Sequence, residues 1–169
     1  TAAPTFIWNF TGSGGRLQKA YRISIVDVSG RGTQRNSNPD FEVNTNDWTA
    51  FGSTKNRSTV YKHTGIASMY MTPDGVSVTA RVESEKVPGV SPGEQWIAQS
   101  WVFSPVGRQM SMNINWFDSD GNYQTTSAGP NIILVANTWT YISTTATAPV
   151  GSGRCSITIN EDTTPAVGD

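Results

Sequence analysis

Histidine and cysteine are almost missing from this sequence, and charged residues of either sign are few. His63 and Cys155 each occur only once, so no intramolecular disulfide can form. Twelve Lys and Arg stand against thirteen Asp and Glu, and charged residues make up 15% of the chain, with no basic run. Nucleic acid and anionic membranes attract such runs. No segment approaches the roughly 18 apolar residues of a membrane span. We therefore expect no nucleic-acid partner and no membrane insertion.

The residues that most enzymes use are also not grouped in a recognisable way. Catalysis would require paired carboxylates in a cleft, a Ser or Cys with a His partner, or clustered metal ligands. None of these patterns is apparent. His63 lies in the alternating stretch YKHT, which favours a structural role, and Cys155 lies in a predicted strand, where a small apolar side chain is usually buried. The sequence therefore predicts a protein that is not an enzyme.

The sequence is rich instead in Thr, Ser, Asn and Gly, with six Trp, five Tyr and six Phe. Short segments that alternate apolar and polar residues recur between turn signals, which is typical of an all-β sandwich or barrel. No amphipathic helix is evident. The predicted strands are Thr5–Asn9, Lys19–Val28, Thr59–His63, Ser68–Met71, Ser77–Glu85, Gln95–Phe103, Gln109–Phe117, Tyr123–Thr126, Asn131–Val135, Thr138–Thr145 and Arg154–Asn160.

A stretch without large apolar residues, Ser29–Asn38, reads as a linker. We therefore divide the chain into a partial β segment over residues 1–30, a linker over 31–37 and a main domain over 38–169. The first segment has two strand-like runs, too few to bury a sheet face alone. Its partner is either the main domain or sequence upstream of it.

Alternation with a period of two sorts side chains by face. Met110, Met112, Ile114 and Trp116 form one apolar face of their strand and are expected in the core, as are Val76, Val78, Ala80 and Val82. If the strands that carry the opposite faces are neighbours, those faces form an aromatic platform surrounded by amides and charges. Its members are Arg81, Glu83, Gln99, Trp101, Asn113, Asn115 and Tyr123.

This mixture suits sugars, because pyranose rings pack on aromatic side chains and sugar hydroxyls both donate and accept hydrogen bonds. The alternative is the solvated face of an antiparallel sheet, with Trp101 covered by a loop.

Several motifs together resemble the jelly-roll carbohydrate-binding modules found beside glycoside hydrolases and in phage tail proteins. They are NPDFE (residues 38–42), DW (47–48), TGIASMYM (64–71), SPGEQWIAQSWVFSP (91–105) and NTWTYISTTATAP (137–149). The resemblance implies an antiparallel β-sandwich with a jelly-roll fold. WNF (8–10) and AYRISIVD (20–27) are similar to the last hairpin of a fibronectin type III-like domain, and the combined arrangement resembles minor tail proteins of phages.

The same resemblance implies a structural Ca²⁺ held by Asp40, Glu42 and the region of Gly65. Asp118–Asn122 (DSDGN) also resembles a metal loop, but a hairpin turn explains it better. Related modules close with a strand that carries an Asp pair, and no such strand is evident here. We therefore expect the closing strand to be missing or to come from another chain.

These observations lead to one functional expectation and two alternatives. We expect a non-catalytic module of a phage tail protein, on the virion or otherwise extracellular, that adheres to polysaccharides or cell-surface glycans of the bacterial envelope. Its other partners would be virion tail proteins or further domains of the same polypeptide. The alternatives are an ancillary module of a secreted glycoside hydrolase and a purely structural virion domain.

Overall fold

Antiparallel β-strands account for all the regular structure in a computed structural model, which describes residues 24–27 and 34–161. No helix occurs in this part of the chain, and so none that could span a membrane. The strands are β1 (Ser24–Asp27), β2 (Trp48–Phe51), β3 (Ser53–Ser58), β4 (Ser68–Pro73), β5 (Ala80–Ser84), β6 (Val87–Pro88), β7 (Gln95–Val102), β8 (Gln109–Phe117), β9 (Tyr123–Ser127), β10 (Ile132–Ile133), β11 (Thr140–Thr147) and β12 (Arg154–Glu161).

The strands form two packed sheets and a separate hairpin. The larger sheet has seven strands in the order β10-β8-β12-β5-β2, with β6 also paired to β12 and β9 to β8. The smaller sheet has the order β1-β7-β11, and β3 pairs with β4 in the hairpin. The two sheets pack as a sandwich, which confirms the predicted fold class, an all-β antiparallel β-sandwich consistent with a jelly roll.

The core lies between the inner faces of these sheets. On β8, Met112, Ile114 and Trp116 are buried as alternation predicts, and they meet Trp96 and Ala98 of β7 in one apolar cluster. Full burial of such a side chain stabilises the fold by about 1.5–3 kcal/mol. The outer face of β8 therefore holds its polar residues.

Two expectations about strands are wrong, and local side-chain bonds explain both. Thr59–His63 is not a strand, because the hydroxyl of Ser58 accepts the backbone N–H groups of Val60 and Tyr61 and turns the chain. Similarly, Asp74 accepts the N–H groups of Val76 and Ser77. β5 consequently begins only at Ala80.

The turn at Asp74 also removes two residues from the core. Val76 and Val78 lie in the turn, where 85% and 76% of their surfaces are exposed. Alternation alone placed them inward beside Ala80 and Val82, which are buried as expected. In addition, the strands β2, β3 and β6 were not predicted, because their sequences do not alternate clearly.

The predicted strand Arg154–Asn160 is present as β12, at the centre of the larger sheet. β12 occupies that position, paired with β8 along Arg154–Glu161 on one side and with β5 and β6 on the other. Both of its backbone edges are therefore satisfied within the chain. The expectation that the closing strand is missing or comes from another chain concerns residues beyond Glu161, which lie outside the described residues, so it stays a prediction.

β1 belongs to the smaller sheet of the same sandwich. It pairs with β7, Ile25 is fully buried, and Ile25 exchanges hydrogen bonds with Arg35 N–H and Asn36 Oδ1. The sequence left two possible partners for the first segment, the main domain and upstream sequence. Residues 24–27 contact the main domain. The predicted strand Thr5–Asn9 and the rest of residues 1–23 lie outside the described residues, so the fibronectin-like assignment stays a prediction.

Candidate functional site

The seven residues predicted to form one platform lie on two different sheets. The outer face of the larger sheet carries Arg81, Glu83, Asn113, Asn115 and Tyr123, whereas Gln99 and Trp101 lie on β7 of the smaller sheet. The outer faces of a sandwich point in opposite directions. The predicted set is therefore wrong as a single group, because alternation fixes the side of a strand but not the sheet to which the strand belongs.

The outer face of the larger sheet is a compact array of polar side chains, which we call the polar face. It comprises Ser111, Asn113 and Asn115 of β8, Ser156, Thr158 and Asn160 of β12, and Arg81 and Glu83 of β5. The strand register aligns Asn113, Thr158 and Glu83 in one row and Ser111, Asn160 and Arg81 in the next. Ser156 and Thr158 are buried at its floor.

Glu83 and Asn115 are held in place by a chain of hydrogen bonds. Oε1 of Glu83 accepts bonds from Ser156 Oγ at 2.6 Å and from Asn115 Nδ2 at 3.2 Å. Oδ1 of Asn115 accepts from Thr126 Oγ1 at 2.6 Å, and that hydroxyl lies 2.9 Å from the hydroxyl of Tyr123. Such a network fixes the side chains before a ligand arrives and so lowers the entropy lost on binding.

Aromatic rings stand on both flanks of the polar face. Tyr123 of β9 is 61% exposed on one flank, and Phe51 of β2 is 41% exposed on the other. The guanidinium of Arg81 lies 4.6 Å from the centre of the Phe51 ring. Because β9 and β2 are four strand spacings apart, the flanks are separated by about 19 Å. The face can therefore offer ring surfaces at both ends of a polar floor.

Sequence reasoning missed Phe51 and the three β12 residues of this face. Phe51 was missed because β2 was not predicted. Ser156, Thr158 and Asn160 alternate with Cys155, Ile157 and Ile159, so their outward direction was readable from the sequence. Their position between β8 and β5 was not.

Trp101 is a packed residue rather than an open platform. The imidazole of His63 stacks on its indole at a centroid distance of 4.5 Å, and the ring of Tyr141 meets it at 5.6 Å. Gln99 Oε1 accepts the Tyr141 hydroxyl at 2.9 Å. The loop that was predicted as a strand at Thr59–His63 therefore covers Trp101, which is the alternative that the sequence left open.

A cavity of about 150 Å³ lies away from the polar face. Its wall is mainly apolar and includes Met69, Met71 and Met110, and the ion pair between Arg108 Nε and Glu161 Oε1 spans 3.3 Å beside it. A cavity of this size accommodates a molecule of about the size of benzene. The polar face, which offers amides and hydroxyls, matches a polyhydroxylated ligand better.

The predicted calcium ligands are only partly brought together. The carboxylate of Glu42 accepts the N–H of Ile66 and packs against Gly65, whose φ of +72° requires glycine. The carbonyl oxygens of Phe41 and Glu42 accept bonds from Arg57 at 3.0 and 2.6 Å.

Asp40 lines the cavity instead, and the described residues contain no cluster of three His, Cys, Asp or Glu side chains for a metal. Hard oxygen donors are thus present, but the guanidinium of Arg57 already bonds two of them.

The model of a family described as "Carbohydrate binding domain" matches residues 33–166. A search of curated proteins gave no match.

Solved structures with the same fold come from phage and bacterial proteins. The enzymatically active domain of bacteriophage CBA120 tailspike protein 4 has 20% identity and a TM-score of 0.56, over 73% of this chain and 18% of that chain. The CBM22-1-GH10 modules of Clostridium thermocellum endo-1,4-β-D-xylanase 10B, complexed with xylohexaose, have 18% identity and a TM-score of 0.61, over 86% of this chain and 26% of that chain.

A tandem CBM22 structure from Paenibacillus barcinonensis Xyn10C has 16% identity and a TM-score of 0.57, over 76% of this chain and 40% of that chain. This chain thus corresponds to less than half of each of these three chains.

Proposed function

The chain belongs to the family of carbohydrate-binding domains, and from this premise we propose that the polar face of its larger sheet binds glycans without cleaving them. The observation that carries the proposal is the hydrogen-bonded floor around Glu83 and Asn115 between two exposed rings, Tyr123 and Phe51. Sugar hydroxyls need both donors and acceptors, and the floor presents carboxylate, amide and hydroxyl groups together. The rings offer stacking surfaces for the C–H faces of pyranoses.

For the biological setting, we propose a tail protein of a phage, in which this module adheres to glycans of the bacterial envelope. The fold shared with the tailspike domain of bacteriophage CBA120 supports this setting. In that setting, the module is part of the virion, and its further partners are other tail proteins or other domains of the same polypeptide.

A second setting has support of its own. The fold is also shared with a module joined to a xylanase, so an ancillary module of a secreted glycoside hydrolase is the alternative. The two settings differ in the sequence that flanks the module. A catalytic domain in the same polypeptide identifies the second, and a tail assembly domain identifies the first. If no glycan binds, a purely structural virion domain is the remaining alternative.

We retain a structural Ca²⁺ near Glu42, Asp40 and Gly65 as a separate proposal. The carboxylate of Glu42 beside the Gly65 turn supports it. When bound, the ion would supply only cross-linking of the loop to the sandwich, because these residues are not part of the polar face. Arg57 performs part of that role through its bonds to the Phe41 and Glu42 carbonyls.

The test is binding on a glycan array and retardation in gels that contain polysaccharides, with release of reducing ends measured in parallel. We expect binding that depends on the polar face and no release of reducing ends. The matched pair is Asn115→Ala, which removes a polar-face amide, and Gln99→Ala on the opposite sheet, which should bind normally. Binding lost only in Gln99→Ala would place the site on the other face, and hydrolysis by purified protein that depends on Glu83 would overturn the non-catalytic proposal.

A further inference from the structure

Glu83 lies on β5 beside the β12 floor of the polar face, and its two carboxylate oxygens differ in their hydrogen bonds. Oε1 accepts both Ser156 Oγ and Asn115 Nδ2, whereas none of the described donors reaches Oε2. The register places Glu83 opposite Thr158 on one side and Thr49 on the other, so no neighbour in its row carries a positive charge. An ionised carboxylate is an acceptor only. Oε2, which receives no hydrogen bond from the residues that the structure describes, can therefore accept a donor from the ligand.

The negative charge of Glu83 is balanced by neutral donors rather than by an ion pair. Among the described residues, the salt bridge found joins Arg108 to Glu161, and Glu83 takes part in none. Two cations of the same outer face have other partners: Arg81, two residues before Glu83 on β5, lies over the Phe51 ring, and Arg154 of β12 donates from Nε to the carbonyl oxygen of Ser119. Solvent and salt weaken the attraction between an exposed cation and an anionic ligand, whereas they screen a half-buried charge less. Glu83 thus presents an anionic acceptor that forms no ion pair within the described part of the chain.

We propose that Glu83 acts as a charge filter, which admits uncharged glycans and rejects glycans that carry carboxylate or sulfate groups. A sugar hydroxyl donates to Oε2 of Glu83, whereas an anionic group in the same place meets a like charge with no counter-ion. Rejection of a competitor through a like charge is a standard source of specificity. The inference rests on the proposed function of the polar face and assigns its specificity to one residue.

The filter can be tested with matched polysaccharides that differ mainly in charge. The probes are hydroxyethyl cellulose against carboxymethyl cellulose, and methyl-esterified against de-esterified polygalacturonan, added to the glycan array of the preceding test. We expect the parent protein to prefer the uncharged member of any pair that it binds, and uncharged over anionic glycans across the array, by at least about tenfold. Because salt screens like-charge repulsion, this preference should shrink as NaCl is raised to about 1 M.

Glu83→Gln is the informative variant, because the amide oxygen keeps the bonds from Ser156 and Asn115 while the amide nitrogen replaces Oε2. Its preference should fall by about tenfold with little change in melting temperature. Arg81→Gln is the matched control and should not admit anionic glycans. If parent protein binds both charge classes equally, or if Glu83→Gln leaves the preference unchanged, the filter is refuted while glycan binding stands. If no glycan of either class binds, the proposed function falls and the filter falls with it.

Discussion

Removing the Tyr123 ring should weaken glycan binding about tenfold while leaving the fold nearly intact. An aromatic side chain has roughly 150–250 Å² of surface to bury, and Tyr123 is 61% exposed, which leaves on the order of 120 Å² open to a ligand. A sugar stacked on one ring face covers about half of that area. At about 25 cal/mol per Å², the contact is worth about 1.5 kcal/mol, or about tenfold in Kd.

The stability of Tyr123→Ala should change by only about 1 kcal/mol, because less than half of the ring is buried in the free protein. Titration calorimetry with the best ligand from the array gives Kd, and urea denaturation gives the free energy of unfolding. Tyr123→Phe keeps the ring but loses the hydroxyl contact with Thr126, so it separates stacking from hydrogen bonding.

Tyr141→Ala is the matched control for this experiment. Tyr141 is 46% exposed but lies on β11, on the outer face of the smaller sheet, so its loss should leave Kd unchanged. Normal binding by Tyr123→Ala, or equal losses in Tyr123→Ala and Tyr141→Ala, would falsify the assignment of the site to the larger sheet.

Four further predictions concern stability and reactivity. Trp116→Ala should cost about 3–5 kcal/mol in urea denaturation because Trp116 is fully buried, and a smaller loss than for Trp101→Ala would contradict the core assignment. Burial raises the pKa of the Cys155 thiol to about 12, so alkylation at pH 8 should be slow until urea unfolds the protein. The side chain and backbone N–H groups of Asn122 lower the pKa of Asp118 below its ordinary value of 3.8. The ionised Asp118 therefore stabilises the fold above that pH, and this stabilisation is lost as the pH falls through the lower pKa of the folded protein. Asp118→Asn should accordingly show a smaller decline in Tm between about pH 4 and pH 2. Calcium should raise the Tm of the parent protein relative to chelator and have little effect on Glu42→Ala, and an unchanged parent Tm would remove the site.

The sequence was most informative where a strand has one buried and one polar face. On β8 the alternation from Met110 to Trp116 predicted both the strand and its inward side chains correctly. It failed at Val76 and Val78, because the Asp74 carboxylate accepts the backbone N–H of Val76, and this bond overrides the local β pattern without changing the alternation.

The candidate site was only half predictable for a different reason. Four of the seven predicted residues belong to the polar face and Tyr123 stands on its flank, since their strands all lie in the larger sheet. Trp101 was misplaced because the pairing of β7 with β1 and β11 depends on contacts between distant parts of the chain. No local pattern encodes such pairings, and the sheet membership of a strand is set by the global topology.

The central position of β12 has a consequence for how the protein is made. A ribosome completes β8 and β5 well before it reaches Arg154, yet these strands have no common hydrogen-bonded neighbour until β12 enters between them. A nascent chain that stops short of this strand holds two unpaired edges, which are sites for aggregation. The polar face is therefore assembled only when the last described strand docks, so a chain that ends before β12 should lack both a finished core and the proposed binding site.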